Sequence, residues 1–373
     1  MSSKKIIYTD ALIFRPDYEF HVGDIAIQNG FFTDNFSNPD EIIDSKNLYL
    51  IPGLCDIHLH GCNNYDFSDG TEKALNEILN YEKNIGVTSI CPTTVATPKE
   101  NLFEIMRVSK KIYEKNNNFL GINIEGTFIS KNKLGAHNPE FIYSPDFEFL
   151  KNLQDISGNL IKLVSIAPEL NGAFDFIKSA LKITNISLAH TEADYEISKK
   201  AFDVLGVNHV THLYNAMNPI NHREPGLIIA AAENKNVFVE LICDGIHVHP
   251  AVIRNTFKMF GDDRIIFISD SISATGMKNG NYKLGSLDVI KNSNKATLND
   301  KKTIAGSVTN LTDCMRIAVQ KMGIKLESAI KCSTINPVKS IGLEKFYGTI
   351  ESGKFANFIM LDKNLNLKFV NTK

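Results

Sequence analysis

No stretch of this sequence is apolar and long enough to cross a bilayer. The most apolar segments, such as residues 226–232, fall far short of the roughly 18–20 residues that a span needs. A charge excess is missing too. Forty Lys and Arg against 42 Asp and Glu leave a formal charge of −2, with no long basic stretch. That balance gives no electrostatic footprint for nucleic acid or an anionic membrane. The six cysteines (55, 62, 91, 243, 314 and 332) contain no C-x-x-C pair. Scattered thiols suit a reducing compartment better than a disulfide framework. Polar Tyr8, Thr9 and Asp10 interrupt any signal-peptide core near the N-terminus. Repeats of solenoid period are absent, and so is a G-x-S-x-G elbow. A soluble, globular, cytoplasmic protein is expected.

What is present supports a large packed core. The chain is 43% hydrophobic and 22% charged, which excludes disorder, collagen and coiled coil as wholes. Its 373 residues exceed what one core usually fills, but fit a large α/β barrel with a small accessory module. The first fifty and last thirty residues carry short apolar runs broken by Asp, Gly and Asn, which read as β-hairpins. Between them, apolar runs alternate with helical stretches, the signature of βα units and a parallel sheet. Eight runs fall in order: 55–60, 89–93, 119–125, 161–167, 186–190, 209–213, 237–243 and 265–270. Helices are expected at 72–84, 99–114 and 197–204, and at 251–260 behind a first-turn Pro250. Eight such units match a TIM-type (β/α)8 barrel, which keeps its chemistry at the C-terminal ends of the strands.

Nine of the ten histidines fall between positions 58 and 249. His58 and His60 end the first run, Glu125 the third, and His190 the fifth. His212 lies at the end of the sixth, His247 and His249 follow the seventh, and Asp270 ends the eighth. In a barrel these strand ends converge on one mouth. Alternation turns His58 and His60 to the same side of one strand. A single histidine is as readily a satisfied core residue; five ligand-type residues plus an aspartate, all at strand ends, are not. Nitrogen and carboxylate donors open to water suit zinc or another divalent first-row metal in a hydrolytic role.

The segments PGLCDIHLHG, INIEG, LGAHNP, AHT, THLYNAM, REPG, ELICDGIHVHP, ISD and IAGS follow one another along the chain. In that order they resemble the N-acetylglucosamine-6-phosphate deacetylases of the amidohydrolase superfamily. The resemblance implies a (β/α)8 barrel over 52–344, with a small β-sandwich domain from 1–51 and 345–373. It also implies a homodimer acting on a small amino-sugar phosphate. By the same resemblance, Glu125, His190 and His212 hold the principal metal, most often zinc, and Asp270 is the catalytic aspartate. His58 and His60 match a motif that varies in the family and accompanies a second ion, so one or two ions are expected. Substrate contacts carry over to Ala136, His137, Asn215, Ala216, Arg223, Asp244, His247, Ile304, Ala305 and Gly306. The chain departs from the family pattern at Thr127, at residues 62–65 and at Asn357, none of them a ligand.

Amide hydrolysis needs a strong nucleophile, a stabilised oxyanion and a protonated leaving amine. Asp270 is the expected base and then acid, with His247 beside the developing oxyanion. The lysine of carbamate-bridged relatives is absent after the fourth run, which continues Ala-Pro-Glu169. Arg223 is the candidate for the substrate's phosphate, because a guanidinium pairs with phosphate bidentately. Two other readings stay open: an amidohydrolase acting on another N-acyl sugar or a cyclic amide, and a non-catalytic scaffold.

Overall fold

A computed structural model describes residues 4–373, so the first three residues of the expected small domain lie outside the described residues. Eight short parallel strands carry the middle of the chain: β1 (Leu54–Leu59), β2 (Val87–Pro92), β3 (Ile122–Phe128), β4 (Ile161–Ile166), β5 (Asn185–Leu188), β6 (His209–Val210), β7 (Phe238–Ile242) and β8 (Ile265–Ile268). Each overlaps one of the expected runs. β3 to β8 form a six-stranded sheet in chain order, and β1 pairs with β2. Bridges at Ile90–Phe119 and Thr93–Asn123 link β2 to the neighbourhood of β3. On the far side, Asp270 N donates to His58 O at 2.9 Å and His60 N to Ser271 O at 2.7 Å. Residues that end β8 therefore lie against those that end β1.

Almost every residue of these strands is buried, as expected of parallel strands covered on both faces. The helices between them form where their caps and apolar spacing direct. Glu72–Asn84 starts at Thr71, whose side chain accepts from Ala74 N, and buries Leu75, Ile78 and Leu79 along one face. Lys99–Tyr113 buries Leu102, Ile105, Met106 and Ile112 in the same way. Pro250–Phe260 carries its proline in the first turn.

The two chain ends meet in one seven-stranded sheet. Its order runs Leu367–Asn371, Phe358–Leu361, Tyr49–Pro52, Lys5–Phe14, Phe20–Gln28, Phe31–Thr33, with Glu41–Asp44 also pairing to Lys5–Phe14. The apolar stretches 5–7 and 11–14 thus belong to a single strand. It is interrupted by a register shift between Tyr8 and Ala11, where Asp10 takes a positive φ of 56°. A separate core of Tyr8, Ile13, Phe32, Leu50 and Phe358 lies under this sheet. A further antiparallel sheet, Gly280–Leu284, Leu287–Asn292 and Lys295–Leu298, follows β8 and had no counterpart in the sequence reading. All six cysteines are free and buried.

Candidate active site

Glu125 lies at the centre of the histidines. Its Oε2 is 3.4, 3.3 and 3.4 Å from the Nε2 atoms of His58, His60 and His137. Its Oε1 is 2.9 Å from His212 Nε2 and 3.3 Å from His190 Nε2. Asp270 Oδ1 completes the group at 3.2 Å from His60 Nε2 and 3.5 Å from His58 Nε2. Every one of these side chains is nearly or fully buried.

The backbone at the site is unusual. His190, His212 and Asp270 have φ of 45°, 27° and 50°, a region that non-glycine residues seldom occupy. Such conformations persist only where the surroundings over-determine them, and they gather at functional sites. β6 therefore ends at Val210, three residues short of the expected run. Gly126, directly after Glu125, has φ 86°, and a Cβ there would meet Ala96 N at 2.4 Å and His137 Nδ1 at 2.7 Å. Only glycine fits that close approach.

For His58, His60, His190 and His137 the second ring nitrogen assigns the role. His58 Nδ1 donates to Glu240 Oε2 at 2.9 Å, His60 Nδ1 to Thr93 O at 3.1 Å, and His190 Nδ1 to Lys133 O at 2.6 Å. In the neutral ring, each of these partners leaves an Nε2 lone pair facing the carboxylates, the arrangement seen around metal-bound imidazoles. His137 is reversed. Its Nδ1 accepts from Ala96 N at 3.2 Å, so Nε2 carries the proton and acts as a donor, not a ligand.

Burial works against charge on His58, but Glu125 and Glu240 outweigh it and raise its pKa well above the usual value. His60 rises to about 9, as Asp270 and Glu125 overcome its burial. Burial alone would raise Asp270; the hydrogen bond from His60 and the charges of His58, His60 and His212 hold it at about 2. Burial would raise Glu125, but the charge of His58 and hydrogen bonds with His137, His190 and His212 lower it well below the carboxylate range. His137, with no comparable compensation for burial, drops to about 4.

The donor set fits a divalent cation. His58 Nε2 is buried without a hydrogen bond, 3.4 Å from Glu125 Oε2 and 3.5 Å from Asp270 Oδ1, and His190 Nε2 faces His212 Nε2 at 3.1 Å. Buried lone pairs crowded onto two carboxylates are what a bound cation would satisfy. Two overlapping triads have donor atoms within 4.8 Å of one another: His58, His60, Asp270 and His58, Glu125, His212. Glu125, His137 and His190 form a third by distance, but the tautomer of His137 removes it from that role.

Above this cluster opens a pocket of about 610 Å3. Its walls include Ala136, His137, Asn215, Ala216, His247, Asp270, Ile304 and Gly306, together with Leu284 from the unforeseen antiparallel sheet. His247 is held by Asp244, which accepts from its Nδ1 at 2.7 Å and its backbone N at 2.9 Å. Burial opposes protonation of His247, but Asp244 outweighs it and raises the pKa. Asp244 and Ala305 are buried behind the walls rather than in them. Arg223 is exposed and does not line the pocket of its own chain. His249 is exposed and caps the helix Pro250–Phe260, accepting from Ala251 N at 3.1 Å. Asn215 donates to the carbonyls of His212 and Leu213, closing the turn after β6. Glu169 accepts from Thr191 Oγ1 and from Glu192 N.

Two residues near the site were missed in the sequence. Glu240, the one charged residue in the run 237–243, carries the hydrogen bond to His58. Lys295, on the antiparallel sheet, is close enough for its charge to act on His247.

The sequence pattern of the amidohydrolase family matches residues 49–373. The chain is 33% identical over 323 residues to the N-acetylglucosamine-6-phosphate deacetylase of Bacillus subtilis, covering 84% of this chain and 81% of that protein. It is 30% identical over 372 residues to the human protein of the same name, covering 95% and 90%. Among solved structures, a mutant N-acetyl-D-glucosamine-6-phosphate deacetylase from Mycobacterium smegmatis, in complex with N-acetyl-D-glucosamine-6-phosphate, superposes with a TM-score of 0.92 at 28% identity. That match covers 100% of this chain and 98% of the other. The Pasteurella multocida deacetylase superposes at 0.93 with 26% identity, covering 99% and 98%. The chain belongs to the amidohydrolase family, within its group of N-acetylglucosamine-6-phosphate deacetylases.

Proposed function

We propose that this chain hydrolyses the acetamide of N-acetylglucosamine 6-phosphate, giving glucosamine 6-phosphate and acetate. The observation that carries this reading is the convergence of His58, His60, His190 and His212 Nε2 on Glu125 and Asp270 beneath a pocket. Glu125, His190 and His212 would hold the principal ion, and His58, His60 and Asp270 a second. Imidazole and carboxylate donors suit zinc. A divalent ion so held supplies Lewis-acid chemistry, activating water and polarising the amide carbonyl.

The remaining steps belong to side chains of this chain. Asp270, ionised at neutral pH, accepts the proton of the attacking water as the carbon–oxygen bond forms. It returns that proton to the nitrogen as the carbon–nitrogen bond breaks, so that acetate and a free amine leave. His247, its Nδ1–H bound to Asp244, presents Nε2 to the pocket; its raised pKa favours the protonated form, which donates to the carbonyl oxygen as charge develops there. His137 Nε2–H is a second donor at the same wall. Asp244 acts by fixing His247, and Ala305 by carrying Ile304 and Gly306.

The wider reading is a closed (β/α)8 barrel over 52–344 with a small β-sandwich from 1–51 and 345–373, working as a cytoplasmic homodimer. Among the described residues no helix is long and apolar enough to cross a membrane. A homodimer also reconciles Arg223 with the phosphate: a guanidinium outside its own pocket can serve the pocket of a second copy.

Acetate release from N-acetylglucosamine 6-phosphate, its unphosphorylated parent and other N-acyl sugars tests the proposal, with bound metal measured on the same sample. Preference for the phosphorylated sugar supports it. Faster turnover of another N-acyl sugar or a cyclic amide would reassign the substrate, and no turnover in a metal-loaded protein would leave a scaffold.

A further inference from the structure

β7 carries a carboxylate where its neighbours are Val237, Phe238, Val239, Leu241, Ile242 and Cys243. Glu240 has 0% exposure, and a buried charge is costly unless it is paired and hydrogen-bonded. Its partners are specific. Oε2 accepts from His58 Nδ1 at 2.9 Å and from the backbone N of His212 at 3.0 Å. Its own carbonyl accepts from Leu213 N at 2.8 Å. Oε1 makes no hydrogen bond and lies 3.8 Å from His209 Nε2. Glu240 is buried and is not among the pocket walls.

Both residues held by this one oxygen belong to the ion site. His58 must keep Nε2 free of a proton to be a ligand, and the bond from Nδ1 to Glu240 enforces that tautomer. His212 must hold a backbone φ of 27° for its ring to lie between Glu125 and His190. A strained conformation of that kind needs outside support. Glu240 grips the chain at 212 through its side chain and at 213 through its backbone.

We infer that Glu240 is a positioning residue of the metal site, setting the tautomer of His58 and the backbone of His212 through a single carboxylate oxygen. The inference rests on the reading of His58 and His212 as ion-holding residues. It is geometric: what matters is an acceptor oxygen at that point, more than the negative charge.

Two conservative variants separate these. Glu240→Gln keeps an oxygen able to accept both hydrogen bonds and loses the charge. Glu240→Asp keeps the charge and withdraws the oxygen by one carbon. Zinc affinity is measured on purified, stripped protein by competition with a chelating dye. Ligand geometry is read from the visible spectrum of the cobalt-loaded protein, and folding from circular dichroism. The glutamine variant should bind zinc within a few-fold of wild type, with an unchanged cobalt spectrum. The aspartate variant should bind roughly 10–100-fold more weakly, with an altered spectrum. The reverse order, or two folded variants that both bind like wild type, overturns the inference. If the aspartate variant does not fold, weak zinc binding by a folded glutamine variant overturns it alone, and retained binding supports it. No substrate enters these measurements, so failure of the proposed deacetylation leaves them standing; a wild type that binds no zinc would instead sink the ion-site reading.

Discussion

Asp270 faces His60 across 3.2 Å and is held at about 2, so above mildly acidic pH it is a carboxylate ready to take a proton. Replacing it with asparagine preserves shape but removes the acceptor. Asp270→Asn should fold, keep the ion at Glu125, His190 and His212, and lose roughly 10²–10⁴ in kcat. Near-normal turnover in metal-replete mutant protein would remove Asp270 from the proton relay. The histidines divide by their place around Glu125. His190→Ala or His212→Ala should lower bound metal and activity together, because both rings meet Glu125 Oε1. His58→Ala should spare the principal ion and cost less; equal metal loss in all three, by elemental analysis, would argue for one site that includes His58. That these side chains meet could be read from sequence because strand ends in a barrel converge, and strand ends are marked by where apolar runs stop. Glu240 escaped for the opposite reason: it lies inside such a run, and only its contacts with His58 and His212 distinguish it from an awkward core residue. His249, which follows the seventh run, proves to be a helix cap, a role decided by one local backbone bond.

At the scale of elements, buried periodicity made the eight strands and the helices between them legible, since each must cover an apolar face. The ends of the strands were not. β6 stops early because His212 turns into a left-handed conformation, which a histidine announces far less clearly than a glycine or asparagine would. The antiparallel sheet of residues 280–298 was also unseen, its strands being short and half-exposed. Contacts between elements distant in sequence are equally silent. Lys331, on the helix Leu326–Ser333, donates to Asp262 at 2.8 Å and Asp263 at 2.7 Å, just before β8. Its ammonium also lies 4.5 Å from the centre of the Tyr18 ring in the terminal sheet region. Lys331→Met should destabilise the fold by roughly 1.5–3 kcal/mol, the range for charged hydrogen bonds, measured by denaturant unfolding. Burial favours a neutral Asp262, but Lys331 and Ser328 outweigh it and lower its pKa. Burial likewise opposes charge on Lys331, and Asp262 and Asp263 outweigh it and raise the pKa. A depressed carboxylate contributes stability above its unfolded pKa and loses it as pH falls through the folded one; a raised lysine contributes below its unfolded pKa and loses it as pH rises through the folded one. The gap between wild type and Lys331→Met should therefore stay flat near neutrality and narrow below about pH 4. A gap that persists at low pH would assign the effect to packing on Tyr18.

On the scale of the whole molecule, the open matter is how a sugar phosphate is held when no lysine or arginine lines the pocket. A phosphate brings close to two negative charges at neutral pH, which the histidines and carboxylates below are already committed elsewhere. Arg223 lies on the exposed segment after β6. Delivered by a second copy, it would bind the phosphate and orient the sugar without touching the reacting carbonyl. Arg223→Ala should then lower kcat/KM for the phosphorylated sugar by roughly 10–100-fold, while hydrolysis of the unphosphorylated parent barely changes. An equal fall on both substrates would make Arg223 structural. No fall on either would turn attention to Lys295, whose charge already reaches His247. Delivery across an interface has its own signature. Arg223→Ala and Asp270→Asn proteins, each impaired on the phosphorylated sugar, can be unfolded together and refolded as mixed dimers. If the guanidinium comes from the partner, the Arg223→Ala subunit keeps its Asp270 and receives an intact Arg223, and activity on the phosphorylated sugar returns. If Arg223 served its own pocket, every subunit in the mixture would still lack one of the two groups, and no activity would return.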